Sequence, residues 1–164
     1  MVLGTLLNQG AVAQVVSDNT LPQPSQVPTN CFTCEVTGGT VRGNNLFHSF
    51  REFSIPTNGV ADFVHEARIQ NIFTRVTGSL ESAINGTLRT SISDFDRGNA
   101  NLFLINPNGI IFGENASLDI GGSFLATTAE SLVFSDNLQF NAVEPQASLL
   151  SINVPAGLQF GQQS

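Results

Sequence analysis

The sequence predicts an all-β protein, and three observations carry that reading. From about Cys31 onward, short apolar runs alternate with Asn, Gly and Pro clusters at close intervals, the pattern of many short strands. Thirteen Phe, with no Trp and no Tyr, point to an interior of stacked rings and β-branched side chains rather than to a groove lined by amphipathic aromatics. Apolar-polar-apolar triplets recur at Leu118-Asp119-Ile120, Leu138-Gln139-Phe140 and Leu158-Gln159-Phe160, each twenty residues after the one before. A fixed interval suits a solenoid, because coils of equal path length stack like side chains on like. The expectation is that Leu118, Leu138 and Leu158 lie one over another. A β-sandwich fits the turn spacing alone, but not that interval.

Taken from the start, Met1 to Ala13 is weakly apolar and closes in Ala11-Val12-Ala13, the small-x-small form of an export-signal cleavage site, so 1–13 reads as the remnant of such a signal. Residues 14–30 read as an extended leader, since Asp18 to Thr29 carries three prolines and no apolar periodicity. The folded domain is expected over 31–164. Within it Leu46 to Ile55 matches both a helical and a strand spacing, and the surrounding turn signals decide for strand. Those signals are Thr37-Gly38-Gly39, Pro56-Thr57-Asn58-Gly59, Asn85-Gly86, Arg97-Gly98-Asn99, Asn106-Pro107-Asn108-Gly109 and Gly121-Gly122.

Composition narrows the functions. The chain has 164 residues, a formal net charge of -7 and charged residues at only 12%. A nucleic-acid backbone is repelled by that surface. No apolar run reaches the roughly 18 residues of a bilayer span, so the chain is not expected to cross a membrane as a helix. No cofactor is expected.

The sharpest local signal is Asn101 to Phe112. Leu102 to Ile105 is a buried strand by length and composition, and the chain must then turn. Asn106 can bond back to the backbone, Pro107 presets φ, Asn108 follows, and Gly109 takes the positive φ that ends a type I turn before Ile110 resumes the strand. Backbone geometry alone explains every one of these residues.

Other candidate sites are weaker. Cys31 and Cys34 form Cys-Phe-Thr-Cys: a redox pair, half a zinc site, or a small disulfide, the last favoured by the oxidising route of an exported chain. Zinc needs two further ligands, and His48 and His65, the two histidines, show no paired spacing. Both read as surface or partly buried spacers. Asp94 and Asp96 offer carboxylate oxygens, but the following Arg97-Gly98-Asn99 makes them turn residues first. No activated-nucleophile context surrounds His48-Ser49 or His65, and no enzymatic activity is expected.

The segment Asn106-Pro107-Asn108-Gly109-Ile110 resembles the Asn-Pro-Asn-Gly-Ile motif of the haemagglutination-activity, or two-partner secretion, domain of filamentous haemagglutinin-like exoproteins. Matching stretches stand around it at Arg42–Phe53, Asn71–Gly78, Ile84–Leu88, Leu118–Thr128 and Leu149–Gly161, most like the cyanobacterial branch. Where many members carry a second motif, Asn-Pro-Asn-Leu, this chain has Val64-His65-Glu66-Ala67. The resemblance implies a right-handed parallel β-helix with extra antiparallel strands and an N-terminal cap. It implies as partner an outer-membrane β-barrel transporter whose periplasmic domains recognise the exoprotein, which then folds at the cell surface. Residues Asn106 to Ile110 are the implied recognition and folding motif. An adhesive module binding carbohydrate or a host protein is the second expectation, and a carbohydrate-active enzyme using Asp94 or Asp96 the third.

Overall fold

A computed structural model describes residues 13–145 and 150–161. Apart from Ala13, the expected signal remnant lies outside the described residues. Strands β1 (Gln14–Ser17) and β2 (Ser25–Gln26) come first. One coil follows with β3 (Thr33–Gly38), β4 (Thr40–Arg42) and β5 (Asn45–Ser54). The next has β6 (Val60–Val64), β7 (Asn71–Val76) and β8 (Ser82–Ile84). A third has β9 (Thr87–Ser91), β10 (Asn101–Ile105) and β11 (Ile110–Phe112). The last winding supplies β12 (Ser117–Asp119) and β13 (Phe124–Thr127). Then come β14 (Ser131–Phe134), β15 (Gln139–Asn141) and β16 (Pro155–Gln159).

Pairing between coils is parallel throughout, so the body is a β-solenoid. One face stacks β3, β6, β9 and β12; a second stacks β5, β7, β10 and β13. The third face joins β8 to β11, with Ile55 bridged to Ile84. Stacked pairing of this kind needs inward side chains of similar shape in register. Leu46, Ile72, Leu102 and Phe124 form one such row, and Cys34, Ala61, Leu88 and Leu118 another. Each buried Leu or Ile in these rows contributes on the order of 2 kcal/mol by removal from water.

The outer side of the second face carries its own apolar row. Phe47, Phe73 and Phe103 stack with ring centroids 5.2 and 4.8 Å apart. The antiparallel sheet of β14, β15 and β16 covers this row, placing Phe134 5.1 Å from Phe73 and Phe140 5.0 Å from Phe47. The molecule therefore has two cores, one inside the coils and one beneath the cover sheet.

Corners are tight. A Cβ on Gly86 would collide with the carbonyl oxygens of Gly59 and Pro56, and one on Gly121 with that of Gly98. These corners stack backbone on backbone, which only glycine permits. The Leu46–Ile55 stretch is strand, as expected, within β5.

Two expectations need correcting. The twenty-residue interval does not mark coils. Leu118 stacks on Leu88, whereas Leu158 sits opposite Leu132 in the cover sheet and Leu138 lies just before β15, the strand on the other side of β14. The true rows advance by unequal steps, 26, 30 and 22 residues along Asn45, Asn71, Asn101 and Ser123. Corners of different length remove any constant period. Residues 14–30, expected as a leader ahead of the fold, are strapped onto it: β1 pairs antiparallel with β5, β2 with β3, and Leu21 is buried in the outer core. Their prolines suit the short edge strands and bends of such a strap, where few backbone N–H groups are needed.

Candidate recognition and nucleation site

After β10 the chain leaves its strand with Asn106 fully buried. The Gly109 N–H closes the turn on the Asn106 carbonyl at 3.0 Å, and Gly109 has φ +122°. Asn106 Oδ1 accepts from the Asn108 N–H at 3.0 Å and from Asn108 Nδ2 at 3.1 Å. Its Nδ2 donates to the Leu80 carbonyl and to Ser82 Oγ, each at 3.0 Å. All four hydrogen-bonding positions of this amide are thereby used. Asn108 Nδ2 reaches the Gly78 carbonyl at 2.6 Å. The motif is thus more than a turn: both asparagines clamp the third coil to the corner of the second. Pro107 and Asn108 remain accessible beside a cavity of about 300 Å3, also lined by Thr77, Gly78, Ala142 and Val143. The corner taken by Val64-His65-Glu66-Ala67 is a turn of its own, with the Ile69 N–H donating to the Glu66 carbonyl at 3.0 Å.

Near this corner lies a buried polar cluster that no sequence motif announced. Arg75, on β7 and 3% exposed, donates from Nε to Ser49 Oγ at 2.8 Å, from Nη1 to the Asn141 carbonyl at 3.0 Å and from Nη2 to Thr20 Oγ1 at 3.0 Å. Its guanidinium also lies 4.4 Å from the centre of the Phe140 ring. Asp18 accepts from Ser49 Oγ at 2.7 Å, from Thr77 Oγ1 at 2.5 Å and from Thr20. Burial lowers the Arg75 pKa to about 10, the Asp18 charge opposing that fall, so the side chain stays cationic at neutral pH. For Asp18, burial raises the carboxyl pKa, but donation from Thr77, Ser49 and Thr20 outweighs it and holds the group below its ordinary value. One arginine thereby ties the N-terminal strap and the cover sheet to the second coil.

A row of asparagines runs beside the Phe row. Asn71 Nδ2 donates to Asn45 Oδ1 at 3.2 Å, and Asn101 Nδ2 to Asn71 Oδ1 at 3.0 Å. Asn45 Nδ2 donates in turn to the carbonyls of Ser151 and Asn153, at 3.0 and 2.8 Å. A sequence signal for this row existed: Asn45-Leu46-Phe47, Asn71-Ile72-Phe73 and Asn101-Leu102-Phe103 are one repeated tripeptide.

The remaining candidates fall elsewhere. Cys31 and Cys34 are joined by a disulfide, their Cα atoms 5.2 Å apart. His48 and His65, expected as surface or partly buried spacers, are both buried. His48 Nδ1 lies 2.8 Å from Ser25 Oγ, and burial drives its pKa to about 3, so it is neutral. His65 packs against Gly98. Asp96 Oδ1 accepts from the Gly98 N–H at 2.9 Å, which is turn chemistry. Among the described residues, no three His, Cys, Asp or Glu side chains converge as metal ligands, and no helix is long and apolar enough to cross a membrane.

Comparison with known proteins adds one match. A family model described as the TPS secretion domain fits residues 13–164. No curated protein and no solved structure matches the chain.

Proposed function

The chain belongs to the TPS secretion domain family, the secretion domain of two-partner secretion exoproteins, and from that premise we propose that it docks on an outer-membrane β-barrel transporter from the periplasm and seeds solenoid folding as the exoprotein reaches the cell surface. The observation that carries this reading is the inter-coil clamp of Asn106 and Asn108 on Leu80, Ser82 and Gly78. Such a clamp fixes the register of one coil on its predecessor, which is what a nucleus must do when coils contact only their neighbours. Each coil that then closes removes apolar surface from water, about 25 cal/mol per Å2, and so opposes return into the pore. In this division of labour Asn106, being buried, serves folding. Pro107 and Asn108, being accessible, remain available to the transporter.

The test is secretion with and without candidate transporters co-expressed in a heterologous host, with an unrelated passenger fused after Ser164. Export of domain and passenger only in the presence of one transporter is the expected result. Equal export without any transporter sinks the proposal.

A further inference from the structure

Phe95 is 99% exposed, against 43% to 53% for Phe32, Phe112 and Phe160, the next most accessible rings. The loop that carries it is fastened on every side. The Ile92 N–H donates to the Asp96 carbonyl at 2.9 Å, and Ser93 and Asp96 exchange backbone bonds at 3.3 Å. Asp96 Oδ1 holds the Gly98 N–H, while Arg97 Nε donates to Asp119 Oδ2 at 2.9 Å, an oxygen that Arg89 also reaches. Gly98, at φ +68°, leaves just the room that His65 fills. A well-braced loop thus holds out one bare aromatic ring, flanked in sequence by Asp94 and Asp96.

Folding gains nothing from that ring, since no burial accompanies it. Binding would. A side chain with two rotatable bonds on a braced loop loses little freedom when it is captured, and aromatic anchors of this kind dominate interface energetics. The flanking carboxylates require that the receiving pocket be apolar within and cationic at its rim. We propose that Phe95 is the anchor by which this domain seats on its transporter, inserting into such a pocket on the periplasmic domains. The inference rests on the export reading above, and the transporter is the one partner that membership of the family implies.

The experiment uses the full chain and the purified periplasmic domains of the transporter that supports export in the assay above. Phe95→Ala is expected to bind at least about tenfold more weakly with an unchanged melting temperature, and Phe95→Leu to keep most of the affinity. Asp94→Asn combined with Asp96→Asn is expected to slow association several-fold at low salt and to flatten its salt dependence. Binding by Phe95→Ala within about twofold of wild type overturns the anchor and leaves the export reading standing. Failure of the wild-type chain to bind those domains overturns both.

Discussion

Arg75 Nε donates to Ser49 Oγ at 2.8 Å across two stacked coils, and Ser49 Oγ donates onward to Asp18 at 2.7 Å. The serine hydroxyl therefore relays between a buried cation and a half-buried carboxylate. Replacing Arg75 by Ala leaves Ser49 Oγ, Thr20 Oγ1 and the Asn141 carbonyl without their donor. The expected loss is about 2–3 kcal/mol, read as a lower urea midpoint with an unchanged slope. Arg75→Lys, with a single ammonium in place of the planar fork, is expected to recover only part of it.

Two groups shape the acid limb of the stability curve. Burial depresses His48 from 6.5 to about 3, so the folded chain keeps it neutral while the unfolded chain gains a proton below pH 6.5. Stability from this group is full well above pH 6.5 and is lost progressively as pH falls from there toward about 3. Asp18, also depressed, adds a further loss as pH falls below the ordinary carboxylate range. Thermal melts from pH 8 to pH 3 are expected to show a steady decline, and His48→Gln to flatten its upper part.

The two asparagines of the clamp are expected to separate. Asn106→Ala leaves buried backbone and hydroxyl groups unpaired and costs about 2–3 kcal/mol, whereas Asn108→Ala, at an exposed position, costs about 1 kcal/mol or less. Gly109→Val costs about 1–3 kcal/mol through its positive φ, although a Cβ there meets nothing closer than 3.6 Å. Refolding slowed by Asn106→Ala more than unfolding is hastened is the kinetic signature of a nucleus. Refolding rates unchanged in all three variants would exclude one.

Phe73 is the hub of the outer core, touching Phe47, Phe103 and Phe134. Phe73→Ala is expected to cost about 3–5 kcal/mol. Hydrogen exchange should show β14 to β16 loosening first, because Phe73 lies at the centre of the outer core that they cover.

The disulfide is expected to matter little to stability. It closes a loop of sequence separation 3, and so small a loop restricts the unfolded chain by about 2 kcal/mol or less. Intact-mass analysis before and after reduction checks the bond, and melts of Cys31→Ser paired with Cys34→Ser check its size.

The strand-and-turn character of the chain was legible because Asn, Gly and Pro punctuate it at every corner. The spacing of the coils was not. A constant interval at Leu118, Leu138 and Leu158 looked like a repeat, yet the chain leaves the solenoid after Thr127 and the last two belong to an antiparallel cover. The Asn-(Leu/Ile)-Phe tripeptides were the real rows, hidden by unequal steps. Asn106 to Gly109 was legible as a turn from backbone chemistry alone, but its bonds to Leu80, Ser82 and Gly78 depend on register between coils, which no local pattern encodes. The same limit hid the meeting of Asp18, Arg75 and Asn141, brought together from three separate parts of the chain. The strap is hidden in the sequence because Pro22, Pro24 and Pro28, which flank its short strands, look the same as prolines in a linker.

The amide row has a direction. From Asn101 to Asn71 to Asn45, the downstream residue always offers the hydrogen and the upstream one the lone pair, and the Ser123 N–H extends the same polarity onto Asn101 Oδ1. A polypeptide delivered with its amino end leading would find an acceptor already in position for each new arrival, like teeth cut to engage one way. The two hydrogens of Asn45 break the pattern, for they wait on the carbonyls of Ser151 and Asn153. The first tooth is therefore engaged by carbonyls 106 and 108 residues downstream, so the row is closed at its upstream end by the part of the chain that follows the cover strands β14 and β15.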